Sequence, residues 1–160
     1  MKPAAFDYQR AKDVADAVKA LASMPGDAKP LAGGQSLGPM LNLRLVRPEL
    51  LVDVTAIAEL KRVEETADAV VVGACVTHAD IEDGRVPDVT RGALPGVACN
   101  IAYRSVRNRG TLGGSLAHSD PSADYPATML ALDAEIQIKG AKGSRSESRQ
   151  GRRSRRGVSS

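Results

Sequence analysis

The sequence predicts a protein of mixed helices and strands, folded as two lobes. Three observations predict it. The first third of the chain follows a strand, helix, strand order; the remainder combines two short paired strands with helical periodicity; and two glycine-rich segments connect predicted elements rather than interrupt them. An apolar fraction of 42% in 160 residues permits a core, which must be aliphatic because only one Phe and three Tyr are aromatic.

The first lobe, residues 1–55, is predicted to be a small β-α-β unit. Val14, Val18 and Leu21 repeat at helical spacing, with Asp13 as a candidate N-cap. The predicted elements are a strand at 6–8, a helix over 14–22, a strand at 30–32, a helical continuation from residue 37 and a strand at 50–54.

The second lobe, residues 56–139, is predicted to be larger and to contain both strands and helices. Thr77 is a candidate N-cap, because it precedes a helical segment. The predicted elements are paired strands at 60–64 and 69–73, a helix start at 77–82, helices over 93–103 and 125–132, and a strand at 134–138. We expect no partner strand after residue 138.

Two glycine-rich segments are candidates for a phosphate site. The first, residues 32–37, reads Ala-Gly-Gly-Gln-Ser-Leu and follows a predicted strand; the second, residues 107–124, contains Thr-Leu-Gly-Gly-Ser and is predicted to remain a loop. Bare glycine backbone brings successive N–H groups close to an anion. Neither segment has the spacing of the dinucleotide fingerprint or of a Walker loop. A nucleotide here would therefore be bound by another architecture.

Each segment is expected to donate backbone hydrogen bonds to one phosphate. The predicted donors are Gly33, Gly34, Gln35 and Ser36 in the first and Thr111, Gly113, Gly114 and Ser115 in the second, with the Ser36 hydroxyl adding a bond. We interpret Asp124 either as a ligand for ribityl or ribose hydroxyls or as a helix N-cap. Three positions stay open for Arg107 and Arg109: near the pyrophosphate, facing a partner subunit, or exposed to solvent.

Catalytic groups and metal ligands are not evident in the sequence. Cys75 and Cys99 are interpreted as small hydrophobic residues, and His118 as structural. With only one other histidine, His78, no metal cluster can be assembled by spacing. No apolar run approaches the roughly 20 residues needed to cross a bilayer and no signal peptide is visible, so we expect a cytoplasmic protein.

The basic pI comes from the end of the chain. Residues 139–160 hold eight basic residues and one acidic residue, whereas the first 138 residues hold 14 basic and 18 acidic residues. Residues 140–160 are predicted to be a disordered basic tail. Two interpretations stay open: an Arg/Ser-type nucleic-acid-binding tail, or out-of-frame translation that ended the true protein early. The tail has no aromatic residue to stack on bases, and we expect no nucleic acid partner.

The two glycine-rich segments, together with Asn-Leu-Arg-Leu at 42–45 and Asp-Pro-Ser-Ala-Asp at 120–124, resemble the FAD-binding medium subunits of molybdenum hydroxylases. The likeness covers about residues 1–145 and is nearest to the aerobic carbon monoxide dehydrogenase type within the wider xanthine dehydrogenase family. It implies an α+β flavin fold of the molybdopterin dehydrogenase type, with a small N-terminal lobe, a middle lobe and a C-terminal domain that is absent here.

The resemblance also implies a function. FAD would be the cofactor, and the subunit would pass electrons from iron–sulfur centres to an external acceptor, in a complex with an iron–sulfur subunit and a molybdopterin subunit. The alternatives are a non-catalytic fragment and a nucleic-acid-binding module. The expected cofactor-binding residues are Ala32, Gly33, Gly34, Gln35, Ser36, Leu37, Thr111, Leu112, Gly113, Gly114, Ser115, Asp120 and Asp124.

Overall fold

The computed structural model describes residues 2–148. The first part of the chain forms a parallel sheet of three strands, with a helix between the first two. The elements are β1 (Asp7–Arg10), α1 (Val14–Ser23), β2 (Ala28–Leu31), α2 (Leu37–Asn42) and β3 (Leu50–Asp53). Strand β3 lies between β1 and β2 and pairs in parallel with both. The β-α-β prediction for this region is confirmed.

Helix α1 begins where the sequence predicts. The Asp13 side chain accepts a hydrogen bond from the Asp16 N–H at 2.8 Å, and Ala17 and Ala20 are buried against the sheet. The first apolar cluster also contains Ile57 and Cys75, which follow residue 55 in the chain. The division of the chain at residue 55 therefore stays a prediction.

The rest of the described chain contains two antiparallel strand pairs, five α-helices and a short 3-10 helix at Ala58–Lys61. The strands and α-helices are β4 (Val63–Glu65), β5 (Val70–Val72), α3 (His78–Glu82), α4 (Ala93–Asn100), α5 (Arg104–Arg107), α6 (Leu112–His118), α7 (Asp124–Ala131), β6 (Ile136–Gly140) and β7 (Gly143–Glu147). The β4–β5 pair and the α3 cap are confirmed: Thr77 and Asp80 form a reciprocal capping box. With the parallel sheet, this is the predicted α+β fold.

The structure corrects two predictions about segment 107–124 and the end of the chain. Segment 107–124 is not a continuous loop, because Thr111 caps α6 and Leu112 and Leu116, one helical turn apart, pack on the second apolar cluster. The predicted disorder is wrong for residues 143–147, since β7 pairs with β6 and supplies the partner that we did not expect. Residues 149–160, where most of the basic tail falls, lie outside the described residues.

Candidate functional site

The first glycine segment turns sharply where β2 ends. Gly34 has a φ of +70°, a conformation that favours glycine, and the Gln35 side-chain amide donates to the Gly33 carbonyl at 2.9 Å. Within residues 2–148, the backbone N–H groups of Gly34, Gln35 and Ser36 have no hydrogen-bond acceptor. Gln35 and Ser36 are exposed. This segment therefore presents open backbone donors, as the sequence predicts.

The two glycine segments lie against each other. A side chain at Gly33 would place its Cβ 2.7 Å from the Gly110 Cα and closer still to the Arg109 carbonyl oxygen. A Cβ at Gly114 would lie 3.9 Å from the Ala32 Cβ. Segments that are about 75 residues apart in sequence thus converge on one place, and backbone packing on backbone holds them there.

Four backbone donors of the second segment, at residues 112–115, are used within the protein. The Leu112 N–H donates to Val76 (3.0 Å) and the Gly113 N–H to Ala74 (2.9 Å). The N–H groups of Gly114 and Ser115 donate to Thr111, the first to the side-chain hydroxyl and the second to the carbonyl. The prediction of free backbone donors is therefore wrong for Gly113, Gly114 and Ser115, whereas the Thr111 N–H, predicted with them, has no acceptor among the described residues. These bonds instead attach the start of α6 to segment 74–78.

The remaining groups of the second segment divide between core and surface. Leu112 is buried in the second apolar cluster, and the buried Thr111 caps α6. The Ser115 side chain is half-buried, and its hydroxyl bonds to no residue in the described part of the chain. We therefore keep the Ser115 hydroxyl as a candidate ligand-binding group.

Asp120 and Asp124 are exposed and not joined to the glycine segments by polar contacts. The Asp120 carboxylate accepts from the Ser122 N–H at 2.8 Å, which stabilises the turn before α7. Asp124 is the first residue of α7 and Ala123 occupies the N-cap position, so the N-cap interpretation of Asp124 is wrong. No hydrogen bond or ion pair connects either carboxylate to residues 32–37 or 110–115 of the described structure.

Arg107 has a structural environment. Its guanidinium forms a two-pronged ion pair with Glu82, at 2.7 and 3.0 Å, and donates to the carbonyls of Ile101 and Ala102. The Arg107 bonds lower the pKa of Glu82. Arg109 is exposed, and its carbonyl contacts the first glycine segment. The structure thus supports none of the three interpretations left open for Arg107 directly. Instead, Arg107 anchors α5 to α3.

Sequence reasoning missed a buried carboxylate beside the first glycine segment. Asp53, at the carboxyl end of β3, pairs in register with Leu31, two residues before Gly33. It accepts from the Tyr8 hydroxyl and from the N–H and hydroxyl of Thr55, at 2.8 and 2.6 Å. Burial raises the pKa of Asp53, but these hydrogen bonds outweigh it and hold the pKa below its usual value. Asp-x-Thr after an apolar strand was the available signal.

Sequence reasoning also missed a buried polar pair behind the second glycine segment. The rings of His78 and Tyr125 lie 5.2 Å apart and both are buried. Burial, reinforced by the charge of Arg107, lowers the pKa of His78 to about 4, and burial raises the pKa of Tyr125. No spacing in the sequence relates these two residues.

The donor set of the joined segments suits a phosphate group. The unpaired backbone N–H groups of residues 33–36 and of Thr111, together with the Ser36 and Ser115 hydroxyls, are neutral donors of the kind that bind phosphate oxygens. Within residues 2–148, no group of three or more His, Cys, Asp or Glu residues is arranged to hold a metal ion. The arrangement offers hydrogen-bond donors suited to holding a phosphate.

Comparison with known families identifies the class of protein. The family described as the FAD binding domain in molybdopterin dehydrogenase matches residues 4–149, and this chain belongs to it. The donor set described above is compatible with the pyrophosphate of FAD, so the residues present fit the cofactor that the family implies.

Among curated relatives, the chain is 41% identical over 145 residues to the 6-hydroxypseudooxynicotine dehydrogenase complex subunit alpha of Paenarthrobacter nicotinovorans, covering 91% of this chain and 49% of the relative. It is 40% identical over 145 residues to the carbon monoxide dehydrogenase medium chain of Hydrogenophaga pseudoflava, covering 91% of this chain and 50% of the relative. The resemblance to molybdenum hydroxylase medium subunits is thereby confirmed.

A solved structure agrees with this assignment. Quinoline 2-oxidoreductase from Pseudomonas putida 86 superposes with a TM-score of 0.87 and 43% identity, covering 92% of this chain and 52% of that one. The chain spans about half the length of the curated relatives that it matches. In residues 2–148, no helix is long and apolar enough to span a membrane.

Proposed function

We propose that the first glycine segment holds the pyrophosphate of FAD through the N–H groups of Gly34, Gln35 and Ser36. The supporting observation is that these donors are unpaired within the described structure, and that Gln35 and Ser36 are exposed. The Ser36 and Ser115 hydroxyls add side-chain donors from the two segments. Apart from the Ser115 hydroxyl, the second segment contributes by packing its backbone against the first segment.

The chain would act as the FAD-carrying part of an electron-transfer subunit in a molybdenum hydroxylase. FAD, when bound, can accept electrons singly and release them in pairs. The electrons would come from iron–sulfur centres in a small partner subunit, substrate oxidation would occur in a molybdopterin-containing large subunit, and an external acceptor would receive the electrons. Support comes from relatives named as a complex subunit and as a medium chain.

Flavin uptake by the chain tests the proposal. The purified 160-residue protein, mixed with FAD and separated from free flavin, is expected to retain the visible flavin absorption, and calorimetric titration is expected to show one site. A colourless protein that gives no heat with FAD contradicts the proposal.

Serine variants locate the site on the two segments. Ser36→Ala and Ser115→Ala are each expected to weaken FAD binding by about tenfold, the loss of one hydrogen bond to a charged group. Ser105→Ala is the matched control, because Ser105 is exposed on α5 and makes no hydrogen bond to the described residues. Equal affinity in all three variants would place the pyrophosphate elsewhere.

A further inference from the structure

The start of the second glycine segment is fixed to segment 74–78 by backbone hydrogen bonds. The His78 N–H donates to the Gly110 carbonyl at 3.0 Å, and Thr77 and Thr111 form an isolated bridge between the two segments. A Cβ on Gly110 would lie 2.6 Å from Nε2 and 2.8 Å from Cδ2 of the His78 imidazole. The imidazole edge thus occupies the space beside Gly110.

His78 and Tyr125 bury polar atoms without a protein partner. His78 is 5% exposed and Tyr125 is completely buried, yet His78 Nδ1 and the Tyr125 hydroxyl form no hydrogen bond with any described residue. The surrounding cluster is apolar and includes Val76, Ile81 and Leu112. A phenylalanine at either position would fill similar volume without burying an unpaired polar group. Stability alone therefore does not account for these two polar atoms.

The two groups are chemically complementary. A lowered pKa keeps the His78 imidazole neutral at neutral pH, with one nitrogen available as an acceptor, and a raised pKa keeps the Tyr125 hydroxyl a donor. Their rings already lie 5.2 Å apart at an angle of 42°. The two unpartnered atoms, Nδ1 and the phenol oxygen, thus belong to neighbouring rings, and a hydrogen bond between them, direct or through a water, would satisfy both. Because Tyr125 is the second residue of α7, this connection also links α7 to the second segment.

We propose that His78 and Tyr125 are positioning residues, coupled through Nδ1 and the phenol hydroxyl, that set the second glycine segment in the conformation that binds the cofactor. The inference rests on the proposed function for its effect on FAD. The coupling itself concerns only residues of this chain, and it can be measured with or without flavin.

Tyr125→Phe is the decisive variant, because it removes only the hydroxyl and preserves the ring. Tyr103→Phe, at a residue that is 80% exposed, is the matched control. In the full chain, Tyr125→Phe is expected to unfold at an equal or higher temperature and to bind FAD about 2- to 30-fold more weakly, the range for residues that act on a site through a neighbour. His78→Asn, which keeps a polar group near the Nδ1 position, is expected to bind FAD more tightly than His78→Leu.

Nitrogen NMR of histidine-labelled protein supplies a readout that packing alone would not move. The chain has only two histidines, and the exposed His118 serves as the internal reference. Tyr125→Phe is expected to shift the His78 Nδ1 resonance and the amide resonances of Thr111 and Gly113, whereas Tyr103→Phe leaves them unchanged.

Each outcome decides the proposal. An unchanged Nδ1 resonance in Tyr125→Phe overturns the coupling, and unchanged FAD affinity despite a shifted resonance overturns the positioning role. If the wild-type chain takes up no FAD, the proposed function fails separately. In that case, shifts of the Thr111 and Gly113 amide resonances in Tyr125→Phe still support the positioning pair, and unmoved amide resonances overturn it.

Discussion

Replacing Gly33 with alanine should separate the two glycine segments. The φ of Gly33 lies outside the left-handed region, so the effect depends on space alone. The added Cβ would meet the Gly110 Cα and the Arg109 carbonyl carbon, each at 2.7 Å, and both are backbone atoms that no rotamer change can move. Overpacking of this kind costs about 1–3 kcal/mol, and the backbone must shift to relieve it.

Two measurements separate the stability effect from the binding effect. Urea unfolding without flavin is expected to show Gly33→Ala destabilised by about 1–3 kcal/mol. Calorimetric titration at a temperature where the variant is fully folded is expected to show weaker FAD binding, because the open donors of the first segment follow directly after Gly33. The reduction should exceed any change in folded fraction.

Gly38→Ala provides the matched control. Gly38 lies in α2, and nothing lies within 4 Å of the place where its Cβ would be. Alanine there should leave FAD binding unchanged and raise stability by up to about 1 kcal/mol. The reasoning is refuted if Gly33→Ala unfolds with the wild-type midpoint and binds FAD with wild-type affinity.

Three further variants test other contacts. The pKa of His78 is lowered to about 4 in the folded protein, against 6.5 in the unfolded chain. The neutral imidazole therefore contributes fully to folding stability above pH 6.5, and this stability is lost as the pH falls towards 4. Urea unfolding should show a free energy of unfolding about 2 kcal/mol lower at pH 5 than at pH 7.5. His78→Asn should lose this dependence and His118→Asn keep it; the same slope in both would contradict a buried neutral imidazole. Thr111→Ala should lose about 1 kcal/mol by thermal unfolding and Thr111→Ser much less, because only alanine removes the cap of α6. Arg107→Ala should lower the unfolding temperature more than Arg109→Ala, since only Arg107 anchors α5; equal temperatures would remove that role.

Local signals predicted much of the fold. Asp13 and Thr77 cap helices as expected, because N-cap bonds involve residues only three positions apart. The prediction failed in segment 107–124, where glycines suggested a loop. There Leu112 gains more from burial in a distant core than its glycine neighbours lose in helix propensity, and this is tertiary information that a local pattern does not contain.

The sequence predicted which segments form the candidate site, but only part of the hydrogen bonding within them. The convergence of Gly33 on Arg109 follows from long-range packing, but the presence of a Gly-Gly pair followed closely by Ser in both segments pointed to it. The donors of Gly113 and Ser115 could not be assigned from sequence, because their acceptors depend on how segment 74–78 and α6 meet. The His78–Tyr125 pair was missed for the same reason, because burial and not residue type distinguishes it, whereas Asp53 had a local signal in Asp-x-Thr that went unused.

The two glycine segments therefore have different physical tasks despite similar sequences. In the first, Gly34 adopts a positive φ and the following N–H groups stay unpaired, which suits direct binding of an anion. In the second, Gly113 allows the backbone to approach Ala74, and its N–H is satisfied there. A ligand can recruit the first set of donors without breaking any hydrogen bond of the protein, whereas recruiting the second would cost existing bonds. Loss of the open donors of the first segment should accordingly act on binding, whereas loss of the backbone hydrogen bonds of residues 112–115 should act mainly on stability.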